Sequence, residues 1–84
     1  MRKTLNNKEI VITDRANASR KGIWFDLKID KVEYSLMNVG ELMKTHPLPY
    51  EGMFMGWESL RDTKGEQEIT RADTLDKLLE ELTL

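Results

Sequence analysis

The stretch "GIWFDLKIDKVEYSLM", residues 22–37, decides the fold because its apolar positions change parity halfway along. The apolar side chains stand at odd positions first and at even positions afterwards: Ile23, Phe25, Leu27 and Ile29, then Val32, Tyr34 and Leu36. A single strand would not change parity without a bulge, whereas a hairpin with Asp30-Lys31 as its two-residue loop changes it naturally. The pattern therefore predicts two antiparallel strands that share one apolar face.

The proposed hairpin has a definite register, which the other side chains support. A loop at Asp30-Lys31 places Ile29 opposite Val32, and the further pairs are Leu27 with Tyr34, Phe25 with Leu36, Lys28 with Glu33, Asp26 with Ser35, and Trp24 with Met37. One face is apolar in every pair, while the other face joins the opposite charges of Lys28 and Glu33. Asp-Lys is unusual in a type I′ turn, because that turn requires positive φ at both central residues.

Strands and loops are also indicated on either side of the hairpin. The β-branched run at residues 9–13 predicts a strand, and the turn formers Asn6-Asn7 before it allow a still earlier short strand at Leu5. We interpret residues 53–60 as a strand or an irregular apolar segment. The polar residues 61–68 favour a loop with its turn at Lys64-Gly65.

Two helices are predicted. Asn38 and Glu41 resemble a capping box, which favours a short helix over residues 39–46 that Pro47 ends. A second helix is predicted over residues 69–84, because four leucines repeat at helical spacing: Leu75, Leu78, Leu79 and Leu82. Thr70 or Asp73 is its expected cap. The expected fold class is therefore α+β: a small antiparallel sheet of three or four strands, with the C-terminal amphipathic helix packed on one face.

Length and composition limit the organisation of the molecule. The chain has 84 residues, a net charge of −2 and no cysteine. We expect residues 1–84 to form a single domain without disulfides, and a cysteine-based zinc site is excluded. Because no apolar run approaches 18 residues and the N-terminus carries no apolar signal segment, a cytoplasmic protein without membrane association is expected.

Charge is unevenly distributed and raises the alternative of nucleic-acid binding. Residues 1–40 contain eight Lys/Arg and five Asp/Glu, whereas residues 41–84 contain five and ten. The two halves either attract each other within the fold or present a basic face to an acidic partner. The candidate phosphate contacts are Arg15, Arg20, Lys21 and Lys28, with Trp24 able to stack on a base. Interleaved aspartates and the absence of a nucleic-acid-binding signature favour a solvated loop instead.

The segment "PYEGMFMGW", residues 49–57, concentrates large apolar side chains in an otherwise polar chain. Two interpretations remain open: a second core layer that covers Trp24 and Met37, or an adaptable partner-binding surface. The candidate partner-binding residues are Trp24, Tyr50, Met53, Phe54, Met55 and Trp57. Self-association through the same surface is equally allowed.

Catalytic chemistry is weakly represented. His46 is the only histidine, and no serine nucleophile motif, second histidine or cysteine accompanies it. We therefore expect no enzyme, no metal site and no cofactor. The leading hypothesis is a non-enzymatic protein–protein interaction or regulatory module. Small size and the lack of catalytic chemistry are the grounds for assigning it as an accessory protein of a bacterium or phage. The alternative is a weak nucleic-acid-binding protein that uses the basic N-terminal half.

Overall fold

A six-stranded antiparallel sheet dominates the structure, a computed structural model that describes residues 1–15, 22–45 and 50–84. The elements follow the order β1 (Arg2–Leu5), β2 (Lys8–Asp14), β3 (Trp24–Ile29), β4 (Val32–Asn38), α1 (Val39–Met43), β5 (Trp57–Thr63), β6 (Glu66–Ala72) and α2 (Leu75–Thr83). Each strand pairs with the next one along the chain. The α+β class is as expected, but the predicted sheet of three or four strands is wrong, because the described residues alone form six.

The central hairpin β3–β4 has the predicted register, from Ile29 opposite Val32 to Trp24 opposite Met37. Asp30 takes a positive φ of 52°, and β2 holds it there. Its N–H donates to the carbonyl oxygen of Glu9 at 2.8 Å, and its Oδ1 accepts from the N–H of Glu9 at 2.9 Å. The aspartate therefore joins the turn to the neighbouring strand. These two hydrogen bonds explain why aspartate occupies a position that turn propensity alone disfavours.

The hairpin β5–β6 replaces the predicted polar loop at residues 61–68. Its turn lies at Lys64-Gly65 as predicted, with positive φ at both residues (47° and 84°). The ladder extends from Thr63 opposite Glu66 to Trp57 opposite Ala72. The loop prediction was wrong because most side chains of β6 are exposed, so the strand shows no apolar alternation.

The C-terminal helix α2 begins at Leu75, later than predicted. Thr74 caps it, with Oγ1 accepting from the N–H of Lys77 at 3.2 Å. The predicted caps Thr70 and Asp73 are wrong, since Thr70 belongs to β6 and Asp73 precedes the actual cap.

The core lies between the inner face of the sheet and α2. Its buried members come from β2, β3, β4 and the helix: Ile10, Ile12, Leu27, Ile29, Leu36, Leu78 and Leu79. Burial of one such side chain contributes about 1.5–3 kcal/mol. Because α2 contacts β1, β5 and β6, the sheet curls so that its first and last strands meet the same helix.

Polar contacts fix α2 along β1. Lys3 Nζ lies 3.4 Å from Asp76 Oδ1 near the start of the helix. At its other end, Asn6 Nδ2 donates to Thr83 Oγ1 at 3.0 Å, and that hydroxyl donates to the carbonyl oxygen of Leu79 at 2.7 Å. Asn6 reaches the helix from the turn between β1 and β2, where it and Asn7 have the expected positive φ.

The short helix α1 is capped as the sequence predicts, because Asn38 Oδ1 accepts from the N–H of Glu41 at 3.2 Å. The helix ends at Met43 and not at His46, so the predicted span is wrong: Lys44 and Thr45 already form a turn, and His46 lies outside the described residues. Neither helix in the described part of the chain has the length and apolarity needed to cross a membrane.

Candidate interaction surfaces

The structure places the two tryptophans of the predicted partner-binding set on opposite faces of the sheet. Trp57 pairs with Asn38 and lies on the inner face, where its ring centre is 5.6 Å from that of Phe25 and packs against the core. Trp24 pairs with Met37 on the outer face. A single contact surface cannot include both tryptophans without reaching around the sheet.

The other members of that set belong to the segment at residues 50–56. Tyr50 and Met55 are 69% and 45% exposed, whereas Met53 and Phe54 are half-buried. The ring of Phe54 lies over the guanidinium of Arg71, with 5.6 Å between the ring centre and Cζ. The half-buried pair is therefore compatible with a core role, and the exposed pair is compatible with an interface.

The backbone of this segment is fixed against α1. The N–H of Val39 donates to the carbonyl oxygen of Gly56 at 2.9 Å. A Cβ at Gly40 would lie 2.5 Å from the carbonyl oxygen of Met55, so only glycine allows the two backbones to approach this closely.

Of the two described members of the predicted basic site, Arg15 is engaged within the protein and Lys28 is not. Arg15 Nη2 donates to Asp26 Oδ1 at 2.8 Å and to Ser35 Oγ at 3.1 Å, and its Cζ lies 5.7 Å from the ring centre of Trp24. Lys28 is exposed on the outer face. The remaining two candidates, Arg20 and Lys21, lie outside the described residues.

A third feature, which sequence analysis missed, is a cleft on the outer face. The ladder between β4 and β5 runs from Asn38–Trp57 to Ser35–Leu60 and stops there, although both strands continue. The resulting concavity, here called the outer cleft, has a volume of about 860 Å³. Its lining comes from four strands and a turn: Val11, Thr13, Asp26, Leu27, Lys28, Lys31, Val32, Glu33, Tyr34, Ser35, Leu60, Arg61 and Asp62.

Backbone groups face each other across the outer cleft. The N–H of Asn38 donates to the carbonyl oxygen of Ile23 at 2.8 Å, so even-numbered residues of β4 direct their backbone groups toward β3. Since this direction alternates along a strand, Glu33 directs its N–H and C=O toward β5. By the same alternation, Asp62 directs its groups toward β4. Neither residue has a ladder partner across this gap in the described part of the chain.

The charged side chains of the outer cleft are balanced. Asp26 binds Arg15, and Arg61 shares the parity of Trp57 on the inner face, which leaves two basic and two acidic side chains: Lys28, Lys31, Glu33 and Asp62. The surface can therefore offer backbone donors and acceptors together with charges of both signs. No local sequence pattern marks it, because it arises where two neighbouring strands stop pairing.

Neither a metal-binding cluster among the described residues nor a similar protein of known function indicates what the chain does. Among residues 1–15, 22–45 and 50–84, no group of three or more His, Cys, Asp or Glu side chains is placed to hold a metal ion. His46 lies outside these ranges. Comparisons with protein-family models, with curated proteins and with solved structures find no match. The geometry of the chain itself therefore carries the functional inference.

Proposed function

We propose that this chain is a non-catalytic protein-interaction module whose outer cleft binds an extended segment of a partner protein. The supporting observation is the pair of open backbone edges at Glu33 and Asp62, which lie where the β4–β5 ladder stops. A peptide that adds itself to such an edge gains main-chain hydrogen bonds, and its alternate side chains provide specificity.

The dimensions of the outer cleft fit a short extended segment. Its volume of about 860 Å³ lies within the range of about 300–1,000 Å³ typical of binding pockets. An extended peptide advances about 3.3 Å per residue and lies about 4.8 Å from the strand it joins. The opening beyond Ser35 and Leu60 therefore suits a few residues of one strand rather than a folded domain.

The charge balance favours a peptide of mixed charge over a nucleic acid. A phosphate backbone in the cleft would approach the carboxylates of Glu33 and Asp62, which oppose its binding. Arg15, the described basic candidate with the most contacts, already binds Asp26 and Ser35. A partner segment with both acidic and basic residues can instead pair with both kinds of side chain.

Selection from a displayed library of random peptides tests this proposal. The purified chain serves as bait, and selected peptides are measured by titration against the Asp62→Pro variant. Proline removes the open N–H of Asp62 and places its ring in the cleft, while the β5–β6 ladder keeps its hydrogen bonds because Asp62 faces away from β6. The matched control is Thr4→Pro, which removes an open N–H on the free edge of β1.

We expect Asp62→Pro to weaken peptide binding at least tenfold and Thr4→Pro to leave it unchanged, with both variants still folded by circular dichroism. Failure to select any peptide would contradict the proposal, as would equal binding by the two variants. Loss of binding on Tyr50→Ala or Met55→Ala, with Asp62→Pro unaffected, would move the interaction to the segment at residues 50–56.

A further inference from the structure

We infer that strand β6 joins two copies of the chain by antiparallel edge-to-edge pairing centred on Ile69. β6 is the last strand of the sheet and is seven residues long. Ile69 is 51% exposed on the outer face, beside its cross-strand neighbour Leu60. A large exposed apolar side chain on an edge strand is a feature that monomeric proteins usually avoid.

The free edge of β6 presents open backbone groups in a regular order. The alternation that directs Glu58 and Leu60 toward β4 directs Ser59 and Trp57 toward β6. Thr70 and Ala72, their partners on β6, therefore direct their own backbone groups toward β5. Glu66 and Glu68 do the same by this alternation, and the three residues that lie between these four direct N–H and C=O away from β5: Gln67, Ile69 and Arg71. No hydrogen bond from the described residues reaches these groups.

The sequence of β6 is complementary to itself in one register. With Ile69 opposite Ile69 of a second copy, Gln67 lies opposite Arg71 and Glu68 opposite Thr70. The three outward-directed residues then form hydrogen-bonded pairs, which supply about six backbone hydrogen bonds. No like charges oppose each other, and the outer faces of both copies form one continuous surface.

Neighbouring registers are less favourable. Centring the pairing on Glu68 brings two carboxylates directly opposite each other, which is destabilising. Centring it on Thr70 places Ile69 opposite Arg71 and leaves Gln67 without a partner. The other free edge, β1, is four residues long and bears Arg2 and Lys3, so it offers less backbone and more charge.

This interface differs from the proposed peptide site. Gln67, Ile69 and Arg71 do not line the outer cleft, so a dimer leaves the cleft open. The two proposals therefore succeed or fail separately.

Cysteine cross-linking tests the register, since the chain has no cysteine of its own. Ile69→Cys would place two cysteines in a hydrogen-bonded pair with Cα atoms about 5.5 Å apart, within the disulfide range. Gln67→Cys is the matched control, because in this register the Cα atoms of residue 67 in the two copies lie about 13 Å apart. Copper–phenanthroline and oxygen accept the two electrons, and the two thiols lose their protons as the S–S bond forms.

We expect Ile69→Cys to form covalent dimers at least tenfold faster than Gln67→Cys. A mixture of Gln67→Cys and Arg71→Cys chains should form heterodimers faster than either variant alone forms homodimers. Equal rates for Ile69→Cys and Gln67→Cys would overturn the proposal.

Sedimentation equilibrium tests the association itself. We expect the unmodified chain to have twice its 9.8 kDa mass, and Ile69→Lys to be a folded monomer because the side chain is exposed. Tyr50→Lys should leave the dimer intact. A monomeric unmodified chain at submillimolar concentration would contradict the inference, as would dissociation by Tyr50→Lys while Ile69→Lys stays dimeric.

Discussion

Arg71 Nε donates to Glu58 Oε2 at 2.8 Å, across directly opposed positions of β5 and β6. The two side chains are buried to different extents, with 10% of Glu58 and 61% of Arg71 exposed. Loss of the arginine would leave a buried carboxylate without this partner, whereas loss of the glutamate would leave a hydrated guanidinium. Because Phe54 covers the guanidinium, the pair also ties the segment at residues 50–56 to the sheet.

Arg71→Ala should therefore lower the free energy of unfolding by about 1–3 kcal/mol, the cost of leaving a buried polar group unsatisfied. Urea denaturation gives this value. Lys44→Ala is the matched control, since its contact with Glu41 joins two largely exposed side chains and contributes about 0–1 kcal/mol. Equal effects of the two substitutions would show that Glu58 does not depend on Arg71.

The β3–β4 hairpin was predictable from sequence because one of its faces is buried. Burial imposes an apolar alternation on each strand, and the parity change at Asp30-Lys31 locates the turn. The leucines of α2 were predictable for the same reason, since Leu78 and Leu79 belong to the core. In both elements, the spacing of the apolar side chains along the sequence shows which face is buried.

The hairpin β5–β6 and the outer cleft could not be predicted, because no apolar periodicity in the sequence marks either of them. Side chains on both faces of β6 are exposed, so its polar sequence resembles that of a loop. The cleft depends on where β4 and β5 stop pairing, which no short stretch of either strand reveals. The contact of Arg15 with Trp24 likewise joins residues that sequence analysis assigned to phosphate contact and base stacking, and only the pairing of β2 with β3 brings them together.

Asp30 should be replaceable by asparagine but not by alanine. Asparagine tolerates the positive φ and keeps a side-chain oxygen for the N–H of Glu9, whereas alanine provides neither. We expect Asp30→Ala to lower the free energy of unfolding by about 1.5–3 kcal/mol, from one lost hydrogen bond and the left-handed backbone. Asp30→Gly, which keeps the backbone freedom alone, should fall between the two. Chemical denaturation of the three variants gives the order, and an Asp30→Asn variant as unstable as Asp30→Ala would contradict this role.

Gly56 should not tolerate a side chain, because the turn into β5 is closely packed. A Cβ there would lie 2.8 Å from Phe54 Cζ and 3.0 Å from Asp73 Cα, so neighbouring groups would have to move. We expect Gly56→Ala to cost about 1–3 kcal/mol, as overpacking usually does. Gly65→Asn is the control, since nothing lies within 4 Å of its Cβ position and asparagine accepts its φ of 84°. Thermal unfolding that ranks Gly65→Asn as the more damaging change would contradict this packing.

Trp57 and Met55 should respond differently to truncation, although they lie two residues apart in the same apolar run. Trp57 packs on Phe25 and the core, so Trp57→Ala should lower the free energy of unfolding by about 3 kcal/mol or more. Met55 is 45% exposed, so Met55→Ala should change it by less than about 0.5 kcal/mol. Since a domain of this length has only about 4–13 kcal/mol of stability in total, the first loss is large enough to appear directly in a thermal melt. A Met55→Ala variant as unstable as Trp57→Ala would mean that the exposed methionine is a core residue, and that residues 50–56 are structural throughout.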